Sequence, residues 1–84
     1  HVYDMMRHPD REKYEIDFYT KASGNGLLIL TNMKNEEIYR TNIELSAGTN
    51  IISFFDNSIL RGKKYTLTVT DGANQSYSIP VTLR

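Results

Sequence analysis

The 84-residue chain contains no cysteine and no tryptophan. The lack of cysteine excludes a disulfide framework, a thiolate zinc site, an iron–sulfur cluster and a cysteine nucleophile. Proline is confined to Pro9 and Pro80. Neither sign of charge is in excess, since ten Lys and Arg balance ten Asp and Glu. Phosphate attraction calls for a basic surplus, so nucleic acid is not expected as a partner. Long apolar runs are also missing. The longest, Leu27-Leu28-Ile29-Leu30, falls far short of the ~20 residues of a membrane helix, and no membrane span is expected. No repeat, low-complexity tract or charge block appears. The length allows one domain with a single small core, which leaves no room for a barrel enzyme or a doubly wound sheet. The chain opens on His1 and not on Met, so a processed form or a domain of a longer protein is expected.

What is present is period-two alternation. Residues 1–12 are polar, charged and interrupted by Pro9, and read as a linker or an edge-pairing arm; residues 13–84 read as the domain. Tyr14, Ile16 and Phe18 alternate with Glu15 and Asp17, as in a half-buried strand. Gly24-Asn25-Gly26 reads as a break. The following strand is apolar on both parities, so both of its faces should be covered in a central position. Ile38 to Leu45, Asn50 to Phe55, Tyr65 to Val69 and Tyr77 to Leu83 complete the set, separated by Gly-, Asn- and Asp-bearing turns. Pro80 cannot donate to a ladder, which marks its strand as an edge or bulged. No helical period persists beyond one turn. The pattern predicts an all-β fold of short antiparallel strands, a sandwich or barrel. Its core should hold Ile16, Phe18, Leu28, Leu30, Ile43, Leu45, Ile52, Tyr65, Leu67, Val69, Ile79 and Val81. Glu15, Asp17, Arg40, Glu44, Thr66 and Thr68 should be exposed.

Catalytic chemistry finds little to work with. The histidines are His1 and His8, both in the arm. An amino-terminal histidine can chelate copper, but that site needs a second histidine held opposite on a much larger scaffold, so no metal site is expected. Glu15 and Asp17 share one strand face about 7 Å apart. Paired acids suit glycoside hydrolysis only within a groove that raises one pKa, and alternation opposite an apolar parity explains them as a wet strand face. The serines lack a Gly-x-Ser-x-Gly elbow. Gly24-Asn25-Gly26 lacks the third glycine, the lysine and the helix of a phosphate loop. Asn74-Gln75-Ser76 is a glycosylation sequon, meaningful only in a eukaryotic secretory setting. No catalytic or cofactor-binding residue and no cofactor is therefore expected, and the chain does not read as an enzyme.

Aromatics are the remaining resource, with six tyrosines and three phenylalanines. Tyr14, Tyr39, Tyr65 and Tyr77 fall on apolar parities, where packing accounts for them. Tyr3 and Tyr19 are left as candidates for exposure. Phe54 and Phe55 are adjacent, so one must leave the main core. Tyr3, Tyr19 and Phe55 are thus the candidate binding residues, able to stack on a ligand face.

Gly62 followed by Tyr65-x-Leu67-x-Val69 looks like the tyrosine-corner region of immunoglobulin-like and fibronectin-like sandwiches. A broader likeness runs from Leu28 to Arg84. It takes in Leu28-x-Leu30, Ile38-Tyr39, Ile43-x-Leu45, Gly48-x-Asn50-x-Ile52, the Gly62–Val69 step and Asp71-Gly72. This resembles the small immunoglobulin-like domains of exported Bacteroidetes proteins, among them the C-terminal sorting domains of the type IX secretion system. The resemblance implies an all-β, antiparallel immunoglobulin-like β-sandwich of six or seven strands, serving as a secreted or cell-surface, non-catalytic accessory domain in sorting, spacing or protein recognition. Its implied partners are proteins, either secretion machinery or neighbouring domains of the same chain. The alternative reading is a small carbohydrate-binding module using Tyr19 and the loops.

Overall fold

The computed structural model describes the backbone of residues 2–8 and 13–82, and side chains over 14–82. Seven strands follow one another: β1 (Val2–His8), β2 (Lys13–Thr20), β3 (Gly24–Asn32), β4 (Glu37–Leu45), β5 (Gly48–Phe54), β6 (Lys64–Thr70) and β7 (Ser76–Thr82). They form two antiparallel sheets, ordered β1-β2-β5 and β4-β3-β6-β7. The chain crosses between sheets after β2, β4 and β5, so strands distant in sequence become neighbours: β2 with β5, and β3 with β6. This is the Greek-key order of an immunoglobulin-like sandwich. Within the arm, β1 is an edge strand paired with β2. His1, residues 9–12 and residues 83–84 lie outside the described residues.

The core is the meeting of two apolar parities. One sheet supplies Tyr14, Ile16, Phe18, Ile52 and Phe54; the other supplies Leu28, Leu30, Leu45, Tyr65, Leu67 and Val69. Ile59, from the connection between β5 and β6, closes one end. Each large side chain removed from water contributes roughly 1.5–3 kcal/mol. Three expected core residues, Ile43, Ile79 and Val81, are only half-buried. They lie on β4 and β7, the edges of their sheet, where a neighbour covers them on one side alone. Glu15, Asp17, Thr66 and Thr68 are half-buried and not exposed, because cross-strand neighbours lie against them, whereas Arg40 and Glu44 are exposed as expected.

β3 is central, between β4 and β6. Its second apolar parity is nevertheless only half covered: Leu27 and Ile29 sit on the outer face, with Arg40 and Thr68 flanking Ile29. Gly24, Asn25 and Gly26 belong to β3 and are not a turn. At Gly26 the reason is close approach, since a Cβ there would lie 2.4 Å from the Thr70 carbonyl oxygen. Pro80 lies on β7 opposite Thr66, on an edge where a missing N–H is tolerated.

The two hairpins of the four-stranded sheet are closed by the same turn chemistry. Asn32 Oδ1 accepts the N–H groups of Lys34 and Glu36, both at 2.9 Å. Asp71 Oδ1 accepts those of Ala73 and Gln75, at 2.9 and 3.0 Å. Three residues on from each, Asn35 and Asn74 adopt φ of 63°, a left-handed conformation that asparagine tolerates well.

Candidate functional site

One end of the sandwich carries an open groove of about 430 Å³. Its lining comes from the β3–β4 turn (Met33, Lys34), the start of β4 (Ile38), the β5–β6 connection (Leu60, Lys63) and the start of β6 (Lys64, Tyr65). Side-chain polar contacts from Asn32, Ser58 and Tyr65 hold these walls. The Asn32 side chain clamps the hairpin turn from within. Ser58 Oγ lies 3.2 Å from the Ile38 carbonyl oxygen, which sets the long connection against β4. Tyr65 Oη accepts the Leu60 N–H at 2.9 Å, five residues upstream, which is a tyrosine corner. Asp56 anchors Ser58 in turn, accepting its N–H at 3.0 Å and its hydroxyl proton. Those two bonds, the hydroxyl foremost, hold the Asp56 carboxyl below its ordinary range.

Apolar surface remains in this fixed frame: Met33 is 74% and Leu60 52% exposed. No histidine lines the groove, and the Ser58 hydroxyl is bonded to Asp56. Among the described residues, no group of three or more His, Asp and Glu is placed to hold a metal. A second open depression of about 490 Å³ is formed by Asn25, Asn42, Ile43 and Glu44 of β3 and β4. It has no ring or cation to direct a ligand.

Of the expected binding residues, Tyr19 and Phe55 are not brought together. Tyr19 is on the outer face of β2, opposite Thr49 at the start of β5. Phe55 follows the far end of β5, with its ring 6.4 Å from that of Tyr14 and stacked on it. The span from Thr49 to Phe55 is about 20 Å of strand, too far for one stacking platform. Tyr3 lies in β1, and its side chain is outside the described residues. Glu15 and Asp17 oppose Ser53 and Ile51 across the β2–β5 pair. The sequence reading did not single out Met33, Leu60, Lys63 and Lys64. Their only signal was an apolar residue followed within four positions by lysine in each of two segments that meet only in the fold.

The strand edges differ from one another. β4 exposes Glu37, Arg40 and Glu44 and carries a register irregularity near its start. β7 carries Pro80, and the β1 sequence holds Asp4 and Arg7. On β5 the outward residues are Thr49, Ile51 and Ser53, with Ile51 70% exposed. Charge, proline and bulges guard edges against pairing, and β5 alone has none of these over its described length.

No protein-family model matches the chain, and no curated protein matches it.

Proposed function

We propose that the chain is a non-catalytic accessory domain of an exported or cell-surface bacterial protein, working in sorting, spacing or protein recognition. The observation that carries this reading is the unguarded β5 edge, bearing exposed Ile51 and no charge. Main-chain donors and acceptors on such an edge accept an added strand, and side chains of alternate residues set its specificity. Burial of the aromatics supports the same reading: Tyr14, Phe18, Phe54 and Tyr65 are spent on the core, and Tyr39 and Tyr77 pack against it. The alternative, a small carbohydrate-binding module, would draw on Tyr19 and the loops, and no specific observation favours it.

The test places Ile51→Lys in the full-length protein, since a lysine on an edge strand opposes pairing without removing a backbone donor. Surface display, read by protease accessibility on whole cells, and association with the partner should fall, with circular dichroism unchanged. A second variant replaces His1, His8, Glu15 and Asp17 together with Asn or Gln and should behave as the parent. Loss of function in the second variant and not the first, with both folded, would favour a catalytic or metal role and end this proposal.

A further inference from the structure

The groove between the β3–β4 turn and the β5–β6 connection has a chemistry of its own, separate from the β5 edge. Its lining holds three lysines, Lys34, Lys63 and Lys64, against the single carboxylate of Glu36. That carboxylate is already engaged, accepting from Asn32 Nδ2 at 3.1 Å. Among the described residues none of the three lysines makes an ion pair, and all three are exposed. The whole chain has no net charge, so this is a local positive excess and not a general basicity. Met33 and Leu60 line the same groove, on two segments whose backbones are fixed by the Asn32 and Tyr65 bonds. A preformed apolar slot avoids ordering costs when it is filled.

We propose that this groove binds an acidic peptide segment. One large apolar side chain of the segment would enter between Met33 and Leu60, and its flanking carboxylates would meet Lys34, Lys63 and Lys64. Charge complementarity selects the occupant: apolar floor for the anchor, unpaired ammonium groups for the carboxylates. At about 430 Å³ the groove has room for such a side chain. An anionic membrane would need a broad apolar face, which a slot between two loops does not offer. The inference rests on the recognition reading above and assigns the partner chemistry of a second surface.

The experiment follows amide chemical shifts of the isotope-labelled chain during titration with the peptide Glu-Asp-Leu-Phe-Glu-Asp. Shifts should be saturable and confined to Met33, Lys34, Leu60, Lys63, Lys64, Tyr65 and their neighbours. Replacing Leu-Phe by Ser-Ser in the probe should weaken binding about ten- to a hundredfold, the effect of one buried apolar side chain. Raising the salt to several times the physiological level should weaken it severalfold. Lys63→Glu with Lys64→Glu should lose the acidic probe and gain a probe whose acids are replaced by lysine, with shifts elsewhere in the sandwich unchanged. Equal binding of the serine probe, shifts located elsewhere, or no saturable shift would overturn the proposal. Binding to phosphatidylserine vesicles without peptide binding would overturn it in favour of a membrane. Any of these with the Ile51→Lys effect intact leaves the recognition reading standing, so the two failures are distinguishable.

Discussion

The hydroxyl of Tyr65 links core and loop in one residue. Its ring is buried between the sheets while Oη accepts the Leu60 N–H at 2.9 Å and holds one wall of the groove. Tyr65→Phe keeps the ring packing and leaves that N–H without its partner. A loss of about 1 kcal/mol is expected, read as a lower urea midpoint at unchanged slope. A Phe variant with the parent's midpoint would show that the corner bond contributes nothing. Asn50 works similarly at the opposite end. Its amide accepts the Ser46 N–H at 2.9 Å and donates to the Ser46 carbonyl at 2.9 Å and the Phe18 carbonyl at 3.3 Å, so one side chain joins a turn to two strands.

At the scale of elements, β3 is the strand on which the larger sheet is built, and Gly26 sets how closely its neighbours approach. A methyl group there would meet the Thr70 carbonyl, which is backbone and cannot swing away, as well as Leu45 and Ile43 side chains at 3.0 and 3.2 Å. Gly26→Ala should therefore cost about 1–3 kcal/mol through overpacking, although alanine has the lower entropic cost of folding. A Gly26→Ala domain as stable as the parent in urea would mean that β3 and β6 separate freely at this point. Outside this approach, the outer face of β6 and β7 is an ordinary hydroxyl ladder, with Thr68 and Ser78 at 2.8 Å and Thr70 and Ser76 at 2.9 Å.

For the molecule as a whole, Asp71 couples a hairpin to the opposite sheet. Thr20 Oγ1, at the end of β2, donates to Asp71 Oδ2 at 3.3 Å across 51 residues of sequence, and both side chains are buried. The Gln75 N–H foremost, then the Ala73 N–H and the Thr20 hydroxyl, hold the Asp71 carboxyl below its ordinary value against the opposing effect of burial. The folded state thus binds this proton less readily than the unfolded chain. Its stabilisation is full above the ordinary aspartate value of about 4 and is lost as pH falls through the lower folded value. Asp71→Asn keeps an oxygen for the two N–H groups but cannot titrate. Its urea midpoint should fall less steeply than the parent's in that acid range. Parallel acid limbs for the two proteins would rule out Asp71 as a source of the pH dependence.

Alternation alone determined the strands from β2 to β7 and the facing parities of Ile16, Phe18, Leu28, Leu30, Leu67 and Val69, because a strand's period of two puts alternate residues on one face whatever its neighbours are. Turn chemistry placed the two hairpins, and the Gly62–Tyr65 step marked the tyrosine corner. Other features depended on which strands became neighbours. Ile43, Ile79 and Val81 have the correct parity but lie on edge strands, so half of each stays wet. Gly26 is needed for a carbonyl supplied 44 residues later, and Asp71 for a hydroxyl supplied 51 residues earlier. Tyr19 and Phe55 looked equivalent in sequence and were set at opposite ends of β5. The groove itself joins residues 32–38 to residues 58–65. Periodicity encodes the face a side chain takes; only the Greek-key crossings decide which distant loop it will meet there.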